Sequence, residues 1–247
     1  MPAAPGTDFV RMSRFATAAC LAAGVLLLTA CGSSTRDPRA PTHAFTKEDG
    51  EIAKAADVQQ ADVPAQYGPH GSQLSGKEKC AADLSGLTLT AVDRSQPFVA
   101  KGAAGYVLGE VDVYATERQA ATALRRVTGL TRLRCLLRIA RSALTHFDRG
   151  SIAVRAVPLP AAPFGTAIVG RRFAEQWHEG GGIHAQTTDD VYLRAGRAFA
   201  ILSFFKDRGV FPAAAEARVV RRVLGRALAA QAAGVRTHPG GNGTKGE

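Results

Sequence analysis

Beyond one apolar run near the N-terminus, the sequence has no hydrophobic stretch long enough to cross a hydrocarbon layer of ~30 Å, which excludes a polytopic membrane protein. It has no G-x-S-x-G and no P-loop, and its G-x-G-x-x-G spacing, Gly241 to Gly246, falls in a Gly-rich C-terminal tail and not between a strand and a helix, so neither a nucleophile elbow nor a nucleotide site is supported. Cysteine is scarce, with four in 247 residues, and there is a single tryptophan. Acidic residues are also in deficit: 21 Asp and Glu against 31 Lys and Arg give a formal charge of +10. What is plentiful is ordinary globular material, 46% hydrophobic and 21% charged with 26 Gly and 12 Pro. That composition excludes fibrous, collagen-like and wholly disordered chains, and the length fits one or two domains.

The N-terminal run is short. Arg11 and Arg14 precede Phe15 to Ala30, a charged region followed by an apolar one that ends at Leu28-Thr29-Ala30-Cys31. Leucine, two small residues and a cysteine resemble the lipobox of bacterial lipoprotein precursors. The resemblance makes residues 1–30 a signal peptide and Cys31 the acylated N-terminus of the mature chain. Several acyl chains at ~0.8 kcal/mol per buried methylene make release from a membrane slow. A plain secretory signal or an uncleaved anchor are the alternatives; the run is short for a spanning helix. Translation from Met1 or from Met12 gives the same mature protein.

The mature chain keeps a formal charge of +9. Arg outnumbers Lys by 24 to 7, which reflects GC-rich coding more simply than phosphate recognition. A basic protein on a lipid tether suits an anionic membrane face or acidic wall polymers; nucleic acid is not expected as a partner outside the cytosol. Cys20 leaves with the signal and Cys31 is consumed by lipid, so Cys80 and Cys135 remain in an oxidising compartment. They either form one bridge or stay as two separately buried thiols. Neither has a second Cys or His at ligand spacing, which disfavours zinc.

Residues 31–50 lack apolar periodicity and read as a flexible tether after the lipidated cysteine, 234–247 as a disordered tail, and 51–233 as a single α+β domain. Within it, residues 84–92 and 104–115 read as strands. Thr116-Glu117-Arg118-Gln119 has capping-box spacing and opens a helix with Ala120, Leu124 and Val127 on one face. After Gly129 the pattern resumes with Leu130, Leu133, Leu137, Ala140 and Leu144, flanked by Arg134, Arg138 and Arg141. Strands follow at 152–159, 166–177, 183–194 and 197–205, with reversals at Glu179 to Gly182 and at Gly196, which can take φ > 0. Phe199 to Phe205 is apolar on both faces and should be central. Pro212 starts a helix with Val219, Val220, Val223, Leu224, Ala227 and Leu228 on one face and Arg218, Arg221, Arg222 and Arg226 opposite; Gly234 stops it. The expected fold is a mainly antiparallel sheet with packed helices, one helical stretch mid-chain and one C-terminal amphipathic helix.

Chemistry-bearing constellations are few. His178 and His184 are not at metal-ligand spacing, and no metal or other cofactor is expected. Asp189 and Asp190 are adjacent in a strand and point to opposite faces, so they cannot form an acid/base dyad. No catalytic residue is singled out, although a triad assembled in space would leave no local signature. Trp177, with Arg171, Arg172 and His178, is the candidate ligand-binding group, lining an opening beside the Gly180 turn; core or rim packing is the plainer reading of a lone Trp.

The lipobox, Asp62-Val63-Pro64, Cys80 before a strand, the strand-then-helix at Val113 to Val127, Cys135 in the next helix, the hairpin at Asp190 to Arg197 and the amphipathic C-terminal helix occur in the order found in actinobacterial surface lipoproteins. Some of these are similar to the extracellular sensor domain of membrane Ser/Thr kinases. The resemblance spans about residues 57–230. Those sensor domains look doubly disulfide-bonded, whereas one bridge is possible here, so no ligand site is carried over. The resemblance implies a non-catalytic module on the outer face of the cytoplasmic membrane, binding or sensing an apolar or anionic envelope molecule. A surface hydrolase or an interaction and scaffolding lipoprotein are the rival expectations. Nothing in the sequence sets an oligomeric state.

Overall fold

The periodicities translate into four helices and nine strands, in a computed structural model that describes residues 37–70, 80–101, 105–144, 153–158, 168–179 and 182–237. The segment 1–30 expected to be a signal peptide, Cys31, the glycines at 180 and 181 and the tail after 237 lie outside the described residues. In chain order the elements are β1 (Thr42–His43), α1 (Lys47–Ala56), β2 (Tyr67–Pro69), β3 (Thr88–Arg94), β4 (Phe98–Ala100), β5 (Gly105–Tyr114), α2 (Glu117–Val127) and α3 (Leu130–Leu144). They continue with β6 (Ala153–Pro158), β7 (Ile168–Glu179), β8 (Gly182–Ala195), β9 (Ala198–Asp207) and α4 (Ala213–Thr237). All strands join one sheet with the path β1-β3-β5-β9-β8-β7-β6, and β2 and β4 branch from β5. Every described pairing is antiparallel except β1 with β3. This is the expected α+β class. No helix among the described residues is long and apolar enough to cross a membrane.

The central position of Phe199 to Phe205 is realised: β9 lies between β5 and β8 and is lined on one face by Leu202 and Phe204, on the other by Phe199. Gly196 turns β8 into β9 at φ +53°, a conformation glycine adopts without a Cβ penalty. One sheet face is sealed. Val107, Val111, Val113, Leu202 and Phe204 pack there against Ile52 and Ala53 of α1 and against Val219, Val220 and Val223 of α4. Each buried aliphatic side chain of this kind contributes roughly 1.5–3 kcal/mol.

Three features depart from the sequence reading. Residues 37–50 carry β1 and the start of α1 instead of continuing the tether: Thr46 caps α1 by accepting from the Asp49 amide at 3.1 Å, and Asp49 pairs with Arg197 at 2.6 Å. A two-residue strand such as β1 has no periodicity to read and exists only through its partner β3. At the other end, Gly234 does not stop α4. The helix continues through it to Thr237, with the Glu48 side chain of α1 lying against the glycine. The third is Arg226, read from the sequence as lying opposite the apolar stripe of its helix. It chelates Asp62 at 2.6 and 2.8 Å and donates to the Ala55 and Asp57 carbonyls, tying α4 to the end of α1.

Candidate functional site

The opposite sheet face is only partly covered. Along β5 burial alternates strictly: Val107, Val111 and Val113 are sealed, while Tyr106, Leu108, Glu110 and Asp112 on the other face stay half-buried. The register places Ile201, Ser203 and Phe205 of β9 beside Glu110, Leu108 and Tyr106, and Asp190 of β8 beside Ser203. Tyr106 stacks on Phe205 with centroids 4.9 Å apart. Asp190 accepts from Ser203 at 2.7 Å and from Tyr192 at 3.2 Å. Burial raises the Asp190 carboxyl above its ordinary range despite these two donors.

Two helices cover the rest of this face, and they do so differently. Thr116 caps α2 by accepting from the Gln119 amide at 3.2 Å, as the capping spacing requires, but the Gln119 side chain accepts from the Thr88 amide instead of reaching back. α2 then buries Ala120, Ala123 and Val127 against Leu89, Tyr114, Tyr192 and Phe199. In α3, by contrast, no described side chain is fully buried. It is held at defined points: the Cys80–Cys135 disulfide, with Cα atoms 5.7 Å apart; Arg132 donating to the Tyr192 hydroxyl at 3.2 Å; and Leu137 and Ala140 against Val154 and Trp177. Arg171 adds a bond to the Thr128 carbonyl at the α2–α3 corner.

A cavity of about 210 Å³ lies where this corner meets the sheet. Its floor is Glu110, Asp112, Phe199 and Ile201, and its walls are Val127, Arg132 and Leu84. A second, of about 650 Å³, shares Arg39 and Arg132 with it and runs along the corner past the disulfide, where Arg125 and Arg126 also line it. Together they form a cleft with an apolar and acidic floor and a basic mouth.

The four residues singled out as a ligand group do not converge. Strand alternation puts Arg171 and Trp177 on the α2–α3 face and Arg172 and His178 on the α1–α4 face. Trp177 is buried beside α3 and stacks on His184 at 5.6 Å, which is packing; the two histidines point to opposite faces. Arg172 makes a bidentate pair with Asp189 at 2.5 and 2.6 Å, with Asp189 wholly buried. Asp189 and Asp190 face apart as expected, one held by Arg172 and the other by Ser203 and Tyr192. The lining that sequence reasoning missed comes mainly from β5 and the Arg39 and Ala81 segments. The alternation of Tyr106, Leu108, Glu110 and Asp112 was visible as half-apolar strand pattern, but which face stays open depends on helices distant in sequence.

No family model matches this chain, and no curated protein matches it. Among solved structures, the extracellular domain of PknH from Mycobacterium tuberculosis aligns with a TM-score of 0.45 at 9% identity, over 72% of this chain and 95% of that one. LpqN, involved in cell envelope biogenesis of Mycobacterium tuberculosis, aligns with a TM-score of 0.26 at 12% identity, over 61% of this chain and 69% of that one. Likenesses this slight carry no argument about function.

Proposed function

We propose that the protein is a lipid-anchored, extracytoplasmic binding module whose ligand lies in the cleft between the α2–α3 corner and the half-covered sheet face. The observation that carries this reading is the asymmetry of the sheet: one face is sealed by α1 and α4, while the other is half-covered and carries two adjoining cavities, the smaller lined by Leu84, Val127, Phe199 and Ile201. A concave lining that is mostly apolar, with a few fixed polar groups, is the chemistry of a small-molecule site. The export anchor supplies the place: with Cys31 acylated, the ligand is an envelope component. Binding is favoured over triad hydrolysis because the residues that line the two cavities include neither a serine nor a histidine.

The test is to purify the protein from its native membrane, extract it with organic solvent and identify what is released. An amphipathic molecule in stoichiometric amount is expected. Ile201→Trp, which fills the cleft floor, should release none while its circular dichroism stays unchanged. A protein that carries nothing, or an Ile201→Trp variant that carries as much as the parent, would rule the cleft out as the binding site.

A further inference from the structure

The larger cavity has an uneven charge. Arg39, Arg125, Arg126 and Arg132 line it, and Asp83 is the single carboxylate among its lining residues. Three of these guanidinium groups are tied in place by the protein. Arg126 donates to the Asp83 and Ser85 carbonyls at 3.0 and 2.8 Å, Arg125 to the Thr122 hydroxyl at 3.0 Å, and Arg132 to Tyr192 and the Val127 carbonyl. Holding like charges together costs free energy that an anion would offset, and groups already fixed lose little entropy when one binds. The neighbouring cavity shares Arg39 and Arg132 but adds Asp37, Glu110 and Asp112, with Glu110 paired to Arg94 at 2.8 Å. The excess of positive charge therefore lies in the larger cavity, while Phe199 and Ile201 offer apolar surface in the smaller one.

We propose that this mouth is a headgroup subsite for an organic phosphate: the phosphate lies among Arg39, Arg125, Arg126 and Arg132 beside the Cys80–Cys135 bridge, with the molecule's apolar part on the Phe199–Ile201 floor. A phosphate, with three terminal oxygens, engages several planar guanidinium forks better than a carboxylate with two. This assignment rests on the cleft reading above and names the chemistry of its ligand.

The experiment uses the full chain with Cys31→Ser, so that no attached acyl chain competes, and calorimetric titration with dodecyl phosphate and with uncharged dodecyl maltoside. Dodecyl phosphate should bind about tenfold more tightly at roughly 50 mM salt, and the gap should shrink several-fold at about 500 mM. The Arg39→Gln/Arg125→Gln double variant should abolish the gap without lowering the melting temperature, since it spares Arg126 and Arg132, which hold backbone carbonyls. Arg155→Gln, on exposed β6, should leave it unchanged. Inorganic phosphate that competes with dodecyl phosphate marks a soluble phosphate as the source; arginine-dependent binding to phosphatidylglycerol but not phosphatidylcholine vesicles marks a lipid headgroup. Equal binding of both amphiphiles with no dependence on the arginines overturns the headgroup assignment and leaves the cleft. Failure of both amphiphiles to bind overturns the cleft reading with it.

Discussion

Glu216, in the first turn of α4, is a buried carboxyl facing a buried carboxylate. Burial foremost, then the charge of Asp189 and a hydrogen bond to it, push Glu216 up to about 7, against the pull of Arg172. Asp57, at the end of α1, is raised to about 7 by burial and by Asp93, in spite of the Val58 amide and Arg226. Both groups hold a proton more firmly in the folded chain than in the unfolded one. Their contribution is therefore complete below the ordinary carboxylate range and is lost as pH rises toward 7 and beyond. Asp49 has the opposite sign: burial would raise it, but bonds from Arg197 and Thr90 hold it below the usual range, so its contribution is lost only in strong acid. Urea unfolding should accordingly show stability rising as the pH falls from 8 to 5. Glu216→Gln, which keeps a hydrogen-bonding side chain without the charge, should gain about 1–3 kcal/mol at pH 8 and flatten that slope, with little change at pH 5. None of this was legible in the sequence, where Glu216 is one more acidic residue near a helix start, well placed for the helix dipole.

Helix α3 shows how an element can be read correctly and placed wrongly. Its stripe of Leu130, Leu133, Leu137, Ala140 and Leu144 was plain, and such a stripe ordinarily seeks a core. In the fold Leu130 is 65% exposed, and the described leucines after it are half-buried. Pins take the place of burial: the disulfide, Arg132 on Tyr192 and the Leu137–Trp177 contact. Closing a 55-residue separation stabilises by up to roughly 4 kcal/mol on the chain-entropy account. Cutting the bridge should act unevenly, because α1 and α4 hold their face without it. Hydrogen exchange after reduction, or in Cys80→Ser/Cys135→Ser, should show protection lost in residues 130–144 first and α4 still protected. Uniform loss along the chain would mean that the bridge supports the whole domain and not this helix. The Asp62-Val63-Pro64 segment gains a physical role at the same scale: Asp62 accepts the Arg226 fork and the Gln59 amide, and so locks α4 over α1.

For the whole molecule, the proposed anchor at Cys31 is what would set where the cleft is presented. Mass spectrometry of the protein from its native membrane should find a mature N-terminus at Cys31 carrying diacylglycerol, and Cys31→Ala should accumulate as an unmodified precursor. An unprocessed N-terminus in the parent would remove the extracytoplasmic reading, with the cleft itself untouched.

Local pattern was enough for the major elements, because the period of two in β5 and the three-four spacing in α2, α3 and α4 are imposed by backbone geometry on any chain that buries one face, and the doubly apolar run of β9 marks a strand covered on both. It was enough, too, to pair Cys80 with Cys135 as one of two outcomes, and to put Asp189 and Asp190 on opposite faces. Tertiary structure alone decided which sheet face is sealed, that Gly234 lies inside a helix, that β1 and α1 belong to the domain, and that Arg39, Arg125, Arg126 and Arg132 gather at one cavity. The reason is the same in each case. These facts depend on contacts between residues tens to more than a hundred positions apart, and the free energy of such contacts leaves no periodic mark on the stretch of chain that carries them.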